Sequence, residues 1–210
     1  MKLFSIVVIF LIGLVPGIQA QQPQTDQGGL HLKSLTVGSG EGPITSGISV
    51  VTQFAPKDES RLLEVMIQSD IAWVNYGPQY KIGPVKGLVA ASAGHIFGVP
   101  WIGPLFTASV PLGKTRLSTI QWPAVMGWKP SNYDGKMRRP GYFGGVSLDV
   151  GPLTASYHLN KYISDRWNHL PGLSYAVKVR KDVFISPSVT WNVNKSKPMF
   201  YIGLTWMPQG

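Results

Sequence analysis

Met199-Phe200-Tyr201-Ile202-Gly203-Leu204-Thr205-Trp206, close to the C-terminus of a 210-residue chain, alternates without a break. Phe200, Ile202, Leu204 and Trp206 fall on one side of an extended backbone, and Tyr201, Gly203 and Thr205 on the other. Side chains of a β-strand point to opposite faces in turn, so this period predicts a strand with one apolar face and one small, polar face. A helix would scatter the four apolar residues around its axis.

The same period runs back through the chain. Ile44, Ile48, Val50 and Phe54 share a face opposite Thr45, Gly47, Ser49 and Gln53, with Val51 as an exception. Leu63, Val65, Ile67, Ile71 and Trp73 oppose Glu64, Gln68 and Asp70, which predicts one strand running toward a tight turn at Gly77-Pro78. Residues 80–97 read as a longer, weaker strand interrupted at Gly83-Pro84. After a loop at 98–102, strands are expected at 104–112, 116–128, 142–150, 153–160, 173–180 and 183–194. In 116–128 the apolar face is Ser118, Ile120, Trp122, Ala124, Met126 and Trp128. From Ile44 onward this makes about ten strands with turn residues between them, the signature of a barrel or sandwich. Residues 21–43 read as an N-terminal arm holding one possible short strand.

Composition narrows the setting. Only 14% of residues are charged, too few to cover the whole outside of a soluble domain. The net charge of +9 suits an anionic partner such as a phosphate-bearing lipid or an anionic solute rather than nucleic acid, because the chain opens with an export leader. In that leader, residues 1–20, Lys2 precedes an apolar run at 3–15 that is too short to span a bilayer as a helix. Pro16-Gly17 ends the run, and cleavage is expected after Ala20. The absence of cysteine excludes a disulfide framework, thiolate metal ligation, a cysteine nucleophile and a lipoprotein anchor. Beyond the leader there is no run of 18 apolar residues, so a membrane could be crossed only by a closed barrel.

A closing strand that is apolar on one face and ends in an aromatic resembles that of bacterial outer-membrane β-barrel proteins. The resemblance implies an all-β, transmembrane, antiparallel up-and-down barrel over residues 44–207, of about ten strands with eight or twelve as alternatives, and a tail at 208–210. It implies export to the outer membrane of a Gram-negative bacterium. Phe200, Ile202, Leu204 and Trp206 would be the signal read by the barrel-insertion machinery. Outer-membrane lipid and lipopolysaccharide would be the other partners. A soluble periplasmic barrel that binds a ligand also alternates. The polar faces, however, carry mostly Ser, Thr, Asn, Gln and Gly rather than Lys and Glu, as a narrow lumen requires. Counting back from the closing strand puts the turns at 181–182, 151–152, 113–114 and 77–78 in the periplasm. The same count puts 129–141, 162–171, 98–102 and 55–60 outside. On the apolar faces, Trp73 and Trp206 come out at the periplasmic interface, and Trp128, Tyr142 and Trp191 at the outer one.

Strand parity sends Glu64, Asp70, Lys86, Arg116, Asp149, His158, Lys178 and Arg180 into the lumen. With a turn at 77–78, Asp70 would face Lys86 as a cross-strand ion pair. Lys129, Lys136, Arg138 and Arg139 form a basic outer loop suited to lipopolysaccharide phosphates. No P-loop, zinc-protease or nucleophile-elbow motif occurs, and no cofactor or metal is expected. Tyr157-His158-Leu159-Asn160, followed by Asn168-His169-Leu170-Pro171-Gly172, resembles the His-x-Ser-Asn and Asn-Pro-Gly region of lipid A deacylases, or acyloxyacyl hydrolases. The resemblance implies a general-base role for His158, but Asn160 stands where the nucleophilic serine would be; Ser156 is an outside candidate for it. The expected function is therefore a structural or narrow solute-pathway barrel, with a lipid-modifying enzyme and a soluble periplasmic binding protein as alternatives.

Overall fold

The computed structural model describes residues 29–43, 46–96, 98–126, 139–161 and 166–208. The leader at 1–20 and the basic residues Lys129, Lys136 and Arg138 lie outside these. The described residues form thirteen strand segments: β1 His31–Glu41, β2 Ser46–Ala55, β3 Arg61–Gln68, β4 Ile71–Ile82, β5 Val85–Ile96, β6 Val99–Leu112, β7 Thr115–Met126, β8 Arg139–Val150, β9 Leu153–Asn160, β10 Asn168–Tyr175, β11 Val177–Arg180, β12 Val183–Asn192 and β13 Lys197–Trp206.

Apart from β10 and β11, which do not pair with each other, each strand pairs antiparallel with its neighbours in sequence, and the pairings β1–β13 and β10–β12 close the cylinder. β13 returns to β1, with Leu35 opposite Trp206 and Gly40 opposite Tyr201. β10 and β11 both pair with β12 and form one stave broken at Ala176, whose N–H leaves the ladder for the Pro152 carbonyl at 2.8 Å. Among the described residues the wall therefore has twelve staves closed into a cylinder.

Twelve is the upper alternative read from the sequence, and the two extra staves have identifiable sources. His31–Glu41, expected in an arm, is a full member of the wall. Residues 63–97 hold three strands rather than two, turning at Ser69-Asp70 and at Gly83-Pro84. Gly77-Pro78 is no turn; both residues sit inside β4. A Cβ on Gly77 would lie 2.0 Å from the Val89 carbonyl oxygen, so the glycine serves close strand approach, whereas Gly83, at φ +57°, takes the turn.

The added staves change which connections share an end. At the terminal end, where β1 starts and β13 stops, lie 56–60, 83–84, 113–114, 151–152 and 181–182. At the opposite, loop end lie 69–70 and the strand ends Met126, Arg139, Asn160 and Asn168, which flank 127–138 and 161–167. The expected sorting thus holds for 113–114, 151–152 and 181–182 and for the strand ends flanking 127–138 and 161–167, whereas 127–138 and 162–165 lie outside the described residues. The loop at 55–60 moves to the terminal end, and most of 98–102 belongs to β6.

The outside is an apolar belt. Ile48, Ile67, Val89, Ile102, Phe106, Leu148, Leu173, Phe200, Ile202 and Leu204 are all exposed on it. So continuous an apolar surface matches lipid rather than water. Trp206 stands on this face at the terminal end, its indole N–H donating to Asp182 Oδ2 at 2.8 Å, while Trp191 and Tyr142 stand nearer the loop end. Among the described residues no helix is long and apolar enough to cross a membrane.

Candidate functional site

The interior has two unlike walls. Across β3–β8, Met66, Ile71, Trp73, Leu88, Leu105, Trp101, Trp122 and Phe143 pack into one buried cluster. Trp122 meets Trp73 and Trp101 edge to face, with ring centroids 5.2 and 5.0 Å apart. Trp73, Trp101 and Trp122 are 7%, 4% and 3% exposed, so they fill the loop half of the lumen on this side. Two expectations are corrected here. Trp73 is part of the interior and not of an interfacial belt, because the Ser69-Asp70 turn reverses the chain before it. The apolar face of β7, including Ile120, Trp122 and Ala124, points inward, while Leu117, Thr119, Gln121 and Pro123 point out. Apolar does not mean lipid-facing where the lumen itself is packed.

The opposite wall, β12–β13–β1–β2, is polar. Thr36 bonds Thr205 at 2.9 Å, and Ser49 bonds Tyr201 at 2.9 Å across the closing seam. Ser49, Thr190 and Asn192 are buried, as a narrow lumen filled by its own side chains requires.

Glu64 joins the two walls. Its carboxylate accepts from Asn75 Nδ2 at 2.8 Å, Trp73 Nε1 at 3.3 Å and Gln53 Nε2 at 2.7 Å, and Ser34 donates to Gln53 Oε1 at 3.0 Å. On the terminal side of this network opens a cavity of 660 Å³ lined by Glu64, Lys81, Lys86, Ser109, Ser118, Ser147 and His158 among others. Leu88, Leu105 and Ile120 line it where the aromatic cluster begins.

One feature of this cavity was invisible in any single strand. Lys86 stands opposite Ser109, Ser109 opposite Ser118, Ser118 opposite Ser147, and Ser147 opposite Ser156. The row continues through Gly172 to Thr190. All are lumen positions. Lys86 is the second residue of β5 at the terminal end, whereas Thr190 is two residues from the loop end of β12. Because barrel strands tilt by roughly 35–45°, a row perpendicular to them climbs as it circles. The result is a spiral of hydroxyls from one mouth toward the other. A Cβ at Gly172 would lie 3.0 Å from Thr190 Oγ1 and 3.1 Å from Ser156 Oγ, so the missing side chain lets those two hydroxyls converge.

Of the expected lumen residues, Glu64, Lys86 and His158 line the cavity. Arg116 and Asp149 pair directly, Nε to Oδ2 at 2.9 Å, and Thr154 donates to Asp149 Oδ1 at 2.7 Å. Lys178 lies 5.9 Å from the Phe184 ring centroid at the terminal end. Asp70 is displaced: it occupies the loop-end turn after β3, and Lys86 faces Lys81 and Ser109 instead. A bulge between Lys178 and Arg180 sets Arg180 opposite Val183, whose neighbours place it on the outer face. Of the basic loop only Arg139 is described, opening β8 at the loop end. His158 is stacked on Phe143 with centroids 5.3 Å apart, and Ser156 belongs to the hydroxyl row. The buried His158 Nδ1 takes no hydrogen bond from Ser156. Among the described residues no cluster of His, Asp or Glu could hold a metal ion.

No protein-family model matches the chain. No curated protein matches it in sequence. Solved structures do match in fold. A structure of KdgM porin aligns with a TM-score of 0.58 at 11% identity, covering 85% of this chain and 100% of that one. The NanC porin aligns with a TM-score of 0.59 at 9% identity, covering 86% and 100%. KdgM in complex with disordered oligogalacturonate aligns with a TM-score of 0.58 at 12% identity, covering 85% and 100%. The chain has the closed-barrel fold of these outer-membrane porins.

Proposed function

We propose that the protein is an outer-membrane barrel whose lumen guides small, polyhydroxylated solutes, with a preference for anionic ones. The observation that carries this is the spiral row Ser109, Ser118, Ser147, Ser156 and Thr190, which starts beside Lys81 and Lys86. Hydroxyls both donate and accept, so successive steps can exchange hydrogen bonds with a sugar chain without holding it at any one place. Asp58, Glu59 and Glu64 line the same cavity but are engaged by Ser60, by Lys33 and by Gln53, Trp73 and Asn75, which leaves the paired lysines to draw anions to the terminal mouth, the periplasmic one in an outer membrane. Oligogalacturonate, present in one KdgM structure, has this chemistry. The packed indoles of the same strands keep the pathway narrow toward the loop end.

The test is conductance and selectivity in planar bilayers. Wild-type protein should pass small currents with an anion preference, and Lys81→Glu together with Lys86→Glu should reverse that preference. Zero-current potentials unchanged by the double variant would refute the assignment. The basic residues Lys129, Lys136, Arg138 and Arg139 remain proposed contacts for lipopolysaccharide phosphates, and Phe200, Ile202, Leu204 and Trp206 for the insertion machinery. All four of the latter stand on the outer face.

A further inference from the structure

On the outer face of β3–β6 a shallow groove of 670 Å³ runs between the taller side chains of Tyr76 and Ile102. Its floor is short: Pro78, Ala91 and Pro104. Arg61 closes the terminal end of the groove. This arginine heads a strand whose other outward residues are Leu63, Val65 and Ile67, so it sits where the apolar belt meets the aqueous boundary. Its Nη1 donates to the Tyr76 hydroxyl at 3.2 Å, which uses one of five guanidinium N–H donors. Asp58, on the adjoining connection, accepts the Ser60 backbone N–H at 3.0 Å and attracts Arg61 through space, with no hydrogen bond between them among the described contacts. No Asp or Glu occupies an outward position on β3, β4, β5 or β6.

We infer that this groove seats an acyl chain of a membrane glycerophospholipid whose phosphate is held by Arg61. The inference rests on the barrel lying in a membrane, as proposed above. A groove floored by Pro and Ala accepts a flexible hydrocarbon chain along its length, and the guanidinium fork matches phosphate oxygens. Charge complementarity selects this occupant over a second copy of the chain, whose equivalent face would offer Arg61 no carboxylate. The lipid belongs to the leaflet at the terminal end, because Arg61 lies there.

The experiment is native mass spectrometry of the full chain, extracted from outer-membrane fractions into mild detergent and titrated with palmitoyl-oleoyl phosphatidylglycerol or with the matching diacylglycerol. Wild-type barrel should retain the phospholipid and not the diacylglycerol. Arg61→Gln should weaken retention about tenfold, the size expected for a lost charge-assisted hydrogen bond. Ala91→Phe, which fills the floor and leaves Arg61 in place, should weaken it similarly. Equal retention of both lipids, or of phosphatidylglycerol by wild type and Arg61→Gln, would overturn the site. A lipid-free dimer broken by Ala91→Phe would overturn it in favour of self-association. The gel shift between unheated and heated samples is read on every preparation. Its absence from wild type would overturn the membrane barrel together with the site, whereas its presence without lipid discrimination overturns the site alone.

Discussion

Glu64 accepts the indole N–H of Trp73 at 3.3 Å, tying the charged side of the lumen to its aromatic packing. The same carboxylate holds Asn75 and Gln53. Glu64→Ala would leave three donors without their acceptor, at a cost of about 1–3 kcal/mol. Glu64→Gln keeps an acceptor oxygen and should cost less. Urea unfolding of the detergent-folded barrel, followed by tryptophan fluorescence, should rank them wild type, Gln, Ala. A Gln variant as unstable as Ala would contradict the network.

Trp122 touches both Trp73 and Trp101, so its removal opens the centre of the packed wall. Trp122→Ala should destabilise the barrel by about 3–5 kcal/mol and raise single-channel conductance, since the vacated volume joins the cavity. Arg116→Ala is the control. Although its ion pair with Asp149 is 2.9 Å long, Arg116 is 62% exposed, so its loss should cost under about 1 kcal/mol. Equal effects from the two variants would be inconsistent with the aromatic wall as the main interior support.

Between Ser109 and Thr190, Gly172 is the one member of the spiral row without a hydroxyl. Gly172→Leu should place a branched side chain between Ser156 and Thr190 and reduce conductance while leaving the gel shift intact. Unchanged current in planar bilayers would separate the row from the pathway.

Lys33 and Glu59 pin the first strand to the connection before β3 at 2.8 Å. The Lys33 hydrogen bond, and then its charge, hold the Glu59 carboxyl below the ordinary glutamate range. A depressed carboxylate contributes stability above its unfolded-state pKa and loses it as pH falls through the folded value. Proteolysis of the terminal-end connection at 56–60 should therefore increase on acidification below the glutamate range. Glu59→Gln should show that raised cleavage at neutral pH, with a smaller further change in acid. The pair is exposed, so the effect should be small.

Trp206 combines an outward position with its bond to Asp182. Trp206→Asp should leave export intact and abolish insertion, read as loss of the gel shift and accumulation in the periplasm. Normal assembly of that variant would remove the closing strand's aromatic as a signal.

Strands with dissimilar faces were legible from sequence. Leu153, Ala155, Tyr157 and Leu159 face out and Thr154, Ser156 and His158 face in, as their alternation requires, and the same holds for β12 and β13. The failures cluster where both faces are apolar. Around Trp73, Leu88 and Trp122 the lumen is as hydrophobic as the outside, so periodicity no longer distinguishes them, and a turn without glycine at Ser69-Asp70 leaves no mark. A Gly-Pro step meant a turn at 83–84 and close strand approach at 77–78, a difference set by the neighbouring Val89 backbone. The hydroxyl row could not be read at all, because register across strands is not a property of any one strand.

The packed wall also bears on the chain before it reaches a membrane. Hairpins from β4 to β8 expose lipid-facing residues on one side and the residues that later bury around Trp122 on the other. Until the cylinder closes at the seam between β1 and β13, neither side is covered, so this third of the molecule is the segment most prone to aggregate in water. Shielding from water before closure is therefore needed most by the middle of the polypeptide rather than by its ends.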